Sequence, residues 1–462
     1  MADDPWAEVH PLTYIRIAQL QSSAFFPSLR HLRYALEDRS IPPIFFFLSP
    51  FLDSLELFDI MDFEDTIVEP FLATLSSQTL SWIVLRDGGL STDILKKIFV
   101  HSKQLRSLEL SNAVFMSDFT LLEVLGTLPS LENLTLKAVD PETHPANAPE
   151  NSNSQSGGRK YFEALETVSI MGFSLIQHLL GFIDSPCLKS IIVSPVIDQL
   201  RNNHEPEPED LLTPSMTIIT SKWSQSLKNL DIDSSFAHRY APSKCVMLLA
   251  DFHEIQTFHL MNWRTVNMDD DVRRLVTSWP NLRTLRLPLI ETFISLSTLR
   301  IIAESCPELR CLEIRLDIST IPPFDTSSKS LRHNLEVLTV RRVQPSQTML
   351  ECQTQAARYL DSIFPYLKST KVRPENPNDV VWSGILDLVK LCQDIRRVTT
   401  SSHRIVTSMS GSHKFFLGLR SFKSHSTSKV VLCNFFYYSS SIFKQKLDSN
   451  NFNSLQYSIN DL

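Results

Sequence analysis

Glycine is scarce in this chain, 10 residues in 462, which is about 2% against a usual level of roughly 7%. Loops that cradle phosphate need clustered glycine so that the backbone can approach the anion. Here only Gly88/Gly89 and Gly157/Gly158 are adjacent, and no nucleotide-binding fingerprint is present. Positive charge is also short: Lys and Arg total 44 against 51 acids, a net charge of -7. General binding to nucleic acid calls for a strongly basic footprint, so that class is not expected. The seven cysteines are odd in number and contain no C-x-x-C, which fits reduced thiols better than a disulfide framework. The longest apolar run, Ile41 to Leu52, is interrupted by prolines and reaches only about half a membrane span. The acidic amino terminus has no apolar signal core. These lacks predict a soluble, cytoplasmic or nuclear protein with no membrane partner.

Leucine in a fixed frame is abundant. Trp279 to Ile314 states one pattern twice: Leu282, Leu285, Leu287, then Leu309, Leu312, Ile314, with Pro280 and Pro307 each two residues ahead. Aligned on the first leucine of L-x-x-L-x-L, units begin at Leu29, Leu52, Leu80, Leu105, Leu131, Leu165, Leu188, Leu227, Ile255, Leu282, Leu309, Leu335, Leu367 and Ile395. The period of roughly 28 residues lies in the leucine-rich range of about 20 to 29. In a strand, alternate residues share a face, so the second and third leucines point inward and their neighbours outward. The prolines stop the preceding helix and turn the chain extended. Helical spacing appears between strands at Thr92 to His101, Ser117 to Leu128, Asp270 to Ser278 and Ser295 to Ser305.

The expected fold is an α/β leucine-rich-repeat solenoid, a curved horseshoe with a parallel sheet on the concave face and helices on the convex face. Residues 1-28 are expected as an N-terminal cap segment and 29-405 as the solenoid, with a disordered insertion at 140-160. Shorter loops are expected at Asn202 to Pro214 and Pro322 to Asn334. Residues 406-462 form an irregular tail without the repeat register, either a divergent cap or a stretch outside the native reading frame. The asparagine ladder of regular repeats is missing, so irregular turns are expected.

No chemistry-bearing constellation appears. His253 and His259 miss the zincin spacing, and Cys306 and Cys311 read as thiols at a helix end and on a strand. Asp269, Asp270 and Asp271 open a helix, where they suit its dipole. No G-x-S-x-G elbow occurs. The chain is expected to be non-enzymatic, with no cofactor and no metal.

A surface does emerge. The outward strand positions are mixed in the first units, acidic at Asp231 and Asp233, and basic beyond, at Arg286, Arg315, Arg341, Lys371, Arg373 and Arg397. Forked guanidinium groups suit carboxylate and phosphate, so the expected partner is a protein with an acidic or phosphorylated segment. Trp82, Phe58 and Met261 are the outward apolar anchors.

At CPELRCLEI, WPNLRTLRL and SPCLKSIIV the chain resembles the irregular repeats of F-box proteins, and its style is similar to the fungal F-box and leucine-rich-repeat families. HPLTYIRIAQL, FFPSLRHLRY and LSPFLDSLEL resemble the region after the F-box in them. The resemblance covers residues 5 to 405 and implies the substrate-recognition part of a Skp/cullin/F-box ubiquitin ligase. The first unit begins at Leu29, so the Skp adaptor is expected as a partner only if an F-box precedes Met1. The alternatives are a GTPase-activating or other regulatory leucine-rich-repeat protein, or a plain structural scaffold.

Overall fold

The structure, a computed structural model, describes residues 16–17, 20, 24–35, 44–58, 71–72, 74–75, 80–86, 92–111, 119–137, 161–171, 173–194, 208–233, 243–261, 268–287, 293–323, 331, 333–344, 349–372 and 379–411. The leucine frame becomes strands β1 (His31–Ala35), β2 (Ser54–Phe58), β3 (Trp82–Leu85), β4 (Ser107–Ser111), β5 (Asn133–Lys137), β6 (Thr167–Met171) and β7 (Ser190–Ser194). It continues as β8 (Asn229–Asp233), β9 (Thr257–Met261), β10 (Thr284–Arg286), the two-residue β11 (Ile294–Ser295), β12 (Cys311–Asp317), β13 (Val337–Gln344) and β14 (Ser369–Val372). All lie in one 14-stranded sheet in chain order, with β11 set aside against β12. Every pairing is parallel, and equivalent positions of successive units face each other, as Leu285 faces Phe258 on one side and Leu312 on the other.

One backbone device fixes this register. The carbonyl of the residue after each first leucine accepts two N–H groups of the next unit. Arg283 O takes Arg310 N at 2.8 Å and Cys311 N at 3.1 Å, and Arg30, Arg106, Glu132, Glu166, Lys189, Lys228, Gln256, Arg310 and Glu336 do the same. A slip of one residue would break every such fork and turn the leucines to solvent.

Inward leucines fill a continuous core: Leu282, Leu309 and Ile314 are fully buried, each such side chain contributing about 1.5–3 kcal/mol of transfer free energy. Helices back the sheet and share that core: α1 (Thr92–His101), α2 (Phe119–Gly126), α3 (Phe173–Phe182), α4 (Pro208–Trp223), α5 (Ser243–Leu249), α6 (Met268–Ser278), α7 (Leu296–Ser305) and α8 (Met349–Ile363). Successive helices pack on one another behind the sheet, α6 on α7 among them. Ser295 caps α7 by accepting from Thr298 N at 3.3 Å, one of the orphan donors of a helix start.

In place of an asparagine ladder, side chains just ahead of the first leucines join unit to unit. Ser185 Oγ donates to Leu165 O at 2.6 Å and accepts from Cys187 N at 3.1 Å. His333 accepts from Leu335 N through Nδ1 at 3.1 Å, so Nε2 carries the proton and donates to Cys306 O at 2.8 Å. Trp223 and Trp279 donate their indole N–H to Ser185 O and Leu249 O of preceding turns, at 2.8 and 3.2 Å. Gly126 ends α2 where Tyr161 crosses, and a Cβ there would meet the Tyr161 side chain at 2.8 Å.

Two expectations are corrected. The stretch Asn202 to Pro214, read as a loop, becomes helix from Pro208 onward. Proline is tolerated in a first turn, whose N–H has no acceptor in any case. Val84, at an outward strand position, is nevertheless fully buried. The unit expected at Ile395 is not a strand: Asp379–Gly411 is a single helix, α9, and Thr400 stands where the third core leucine would be. The chain divides into two compact units, Met1–Arg396 and Arg397–Leu462. The insertion at 140-160 and residues 412-462 lie outside the described residues.

Candidate functional site

Register places one outward residue of every unit in a row: Arg33, Glu56, Val84, Glu109, Thr135, Ser169, Ile192, Asp231, His259, Arg286, Glu313, Thr339 and Lys371. Neighbours in this row stand about 4.8 Å apart, close enough for long side chains to pair.

At the amino end the row closes on itself. Glu56 lies 3.4 Å from Arg33 and 3.5 Å from Arg86. Arg86 also reaches Glu109 at 3.4 Å, and Lys137 donates to Glu109 at 2.8 Å. Val84 sits between the two glutamates, with Arg86 next on its own face of the strand, which walls it in. Burial by itself would raise the Glu109 carboxyl, but the hydrogen bond and charge of Lys137, the charge of Arg86 and the Ser111 hydroxyl outweigh it and hold it below the usual value. Phe58 is flanked by guanidinium groups, Arg33 at 4.7 Å and Arg86 at 5.9 Å from the ring centre. Trp82 stands exposed between Ser54 and Ser107 of the adjoining strands.

The carboxyl end is organised differently. His259 Nδ1 lies 3.0 Å from Asp231 Oδ2. Beyond it Glu313 meets Arg286 at 3.7 Å and is also bonded by Arg341 Nε. Arg315 follows Glu313 on the same strand and is half-buried. Lys371 occupies the row on β14 and Met261 ends β9; both side chains, and all of Arg373, lie outside the described residues. Arg397 is exposed on helix α9 and is not a sheet residue. Arg286, Arg315 and Arg341 therefore lie on neighbouring strands, whereas Trp82 and Phe58 stand at opposite ends of the β2/β3 pair, Trp82 opposite Ser54 and Phe58 beside Arg33 and Arg86.

Glu313 joins Arg286 and Arg341 although it is not among the cations expected there. The signal was present, since CLEI puts Glu313 at the same outward position as Arg286. Among the described residues no group of His, Cys, Asp and Glu could hold a metal ion, and no helix is long and apolar enough to cross a membrane. No disulfide joins the described cysteines; Cys306 is buried, donates to Val276 O and Trp279 O, and burial pushes its thiol up to about 12. Of the three aspartates opening α6, Asp269 accepts from Ser295 N and Oγ at 2.9 and 2.6 Å, while Asp271 is buried, which raises its carboxyl.

No family model and no curated protein sequence matches the chain. Among solved structures 66 chains match. A Bacteroides fragilis protein is 10% identical with a TM-score of 0.31, the match covering 71% of this chain and 66% of that one. The mouse RP105/MD-1 complex gives 15% identity and a TM-score of 0.38, over 75% of this chain and 63% of the other. A leucine-rich-repeat protein of Leptospira interrogans gives 13% identity and a TM-score of 0.36, over 81% and 90%. This chain thus spans slightly under two thirds of the first two.

Proposed function

We propose that this chain is a non-enzymatic protein-interaction module whose carboxyl-terminal sheet face receives an acidic or phosphorylated segment of a partner protein. The observation that carries it is Glu313 shared between Arg286 and Arg341, with Arg315 alongside. One carboxylate serves two guanidinium groups, which leaves positive charge on an open sheet. In the amino-terminal strands two glutamates, Glu56 and Glu109, are shared among Arg33, Arg86 and Lys137, and the two arginines are also engaged on the Phe58 ring. Within this reading the chain resembles the substrate-recognition region of an F-box protein, and a Skp adaptor would be recruited by an F-box ahead of Met1.

The test is a charge reversal at Arg286, Arg315 and Arg341 together, each to Glu. Acidic and phosphoserine peptides should bind the parent chain and lose about tenfold or more in affinity on the variant, with circular dichroism unchanged. Equal binding by a correctly folded variant overturns the reading. Recovery of a Skp adaptor and a cullin with the purified chain separates the ligase role from a free-standing binding module, and faster GTP hydrolysis by an added GTPase would instead support the regulatory alternative.

A further inference from the structure

A second charged row runs beside the first. It consists of the residue after each first leucine, at the amino-terminal rim of the strands, where the forked carbonyls join each unit to the next. Toward the amino end it mixes both signs, as Arg30, Asp53, Ser81, Arg106, Glu132, Glu166 and Lys189. Arg30 is followed by Asp53, Arg106 lies 3.5 Å from Glu132, and Lys189 Nζ lies 2.6 Å from Glu166. At the far end Glu336 pairs with Lys368 at 3.1 Å. Between those pairs the row reads Lys228, Gln256, Arg283, Arg310, with no acid.

These four are direct neighbours. Gln256 N donates to Lys228 O at 2.7 Å, Arg283 N to Gln256 O at 2.7 Å, and Arg310 N to Arg283 O at 2.8 Å. Arg283 and Arg310 are exposed and Lys228 is half-buried. Among the described residues, none of the three cationic side chains takes part in a hydrogen bond or ion pair. The exposed acids of the adjacent turns, Glu254 and Glu308, lie beyond ion-pair distance of them. A rim that balances its charges elsewhere leaves three cations on four successive units without a carboxylate among the described residues.

We infer that the rim formed by Lys228, Arg283 and Arg310 is a docking strip for an extended run of glutamates and aspartates in a partner protein. Lys228 and Arg310 are three interstrand steps apart, about 14 Å at about 4.8 Å per step. An extended peptide rises about 3.3 Å per residue, so the strip matches carboxylates spread over about four or five residues. A single phosphate suits guanidinium forks that converge on one point; these cations are strung along a line. The inference rests on the reading that this chain binds a protein, and it moves the main electrostatic grip from the sheet face to its rim. The reason is that Glu313 already engages two of the face cations, whereas among the described residues no carboxylate pairs with Lys228, Arg283 or Arg310.

The probe is a fluorescein-labelled peptide with a run of glutamates flanked by glycine and serine, set against its glutamine counterpart. Anisotropy is read on the full chain at low and physiological salt. Replacing Lys228, Arg283 and Arg310 together by Ala should weaken binding by about tenfold or more, and the glutamine peptide should not bind. The pair Arg283→Gln and Arg310→Gln, confined to exposed positions, should give a smaller loss in the same direction with no change in thermal unfolding. Loss on Arg286→Ala with Arg341→Ala, and none on the rim variants, overturns the rim and leaves the face reading standing. Loss on the rim variants alone upholds the rim and removes the face from the grip. Equal binding by every variant, or equal binding of the glutamine peptide, overturns both. Preferential binding of a phosphoserine peptide or an RNA oligonucleotide over the glutamate run overturns the assigned occupant.

Discussion

The first five strands and the last five share one interior and differ outside. In β1 to β5 the outward charges are spent on one another, Arg33 on Glu56, Arg86 on Glu56 and Glu109, Lys137 on Glu109. From β9 onward Glu313 serves both Arg286 and Arg341, and among the described residues the rim cations Arg283 and Arg310 serve no carboxylate. Both arrangements sit on the same buried leucines and the same forked carbonyls. The repeat therefore fixes where side chains stand, while the charge placed there is free to differ along the sheet.

The largest effect tests the shared interior. Leu134 on β5 and Leu312 on β12 are buried at 0% and 1% exposure, and Leu→Ala at either should cost about 2–5 kcal/mol in urea unfolding. Each repeat touches only its neighbours, so hydrogen exchange should show the loss near the altered strand. If one of the two is tolerated and the other is not, the halves do not have equivalent cores.

Acid should separate the halves next. Burial holds the His333 imidazole below its ordinary value, against the opposing hydrogen bond to Cys306 O. A depressed histidine stays neutral when folded while the unfolded chain takes up a proton, so its contribution is full above about pH 6.5 and falls below it. For Glu109 the folded carboxyl is lowered; its contribution is full above about pH 4.3 and is lost as pH falls through the folded value. Exchange protection around β12 and β13 should thus decline at a higher pH than protection around β4 and β5. Simultaneous loss, or the reverse order, breaks the assignment.

A smaller effect comes from the two pivotal glutamates. Glu109→Gln and Glu313→Gln should each cost about 1 kcal/mol, since the ion pairs are partly exposed and screened. Their effects on binding should diverge. Glu313→Gln frees two guanidinium groups and should strengthen glutamate-peptide binding several-fold, whereas Glu109→Gln should leave it unchanged. Equal behaviour would mean that the carboxyl half is no more open than the amino half.

Much of this was legible in the primary structure because inward positions obey one rule. Leucine at fixed spacing predicted the strands, and α1 falls on Thr92–His101 as its periodicity required. Pairing was less visible because it joins residues one period apart: Glu109 with Lys137, Asp231 with His259 and Glu313 with Arg341 are each separated by 28 residues. Reading outward positions unit by unit lists Arg286 and Arg341 but hides the glutamate between them. The rim was hidden for a related reason. Its residues precede the strands and show no alternation; only the forked carbonyls reveal that Lys228, Gln256, Arg283 and Arg310 are neighbours. Arg397 failed because the apolar spacing after Gln393 serves a helix equally well, and the proline that starts other strands is missing there.

The smallest expected effect on stability is at Trp82, and it bears on how far a partner extends. Trp82 is 36% exposed and stands between serines, while Phe58, at the other end of β2, is already held by Arg33 and Arg86. Trp82→Ala should change stability by no more than about 0.5 kcal/mol, as surface substitutions generally do. A short glutamate peptide seated at Lys228 to Arg310 cannot reach β3, because five interstrand steps from β8 to β3 span about 24 Å. Its affinity should be unaltered by Trp82→Ala. A whole partner lying along the sheet would meet both regions, and an exposed tryptophan between small residues is the kind of anchor whose truncation costs about 2 kcal/mol of binding or more. Loss of the whole partner without loss of the peptide would thus assign steering to the carboxyl half and apolar anchoring to the amino half. Loss of neither would confine the partner to the basic strands.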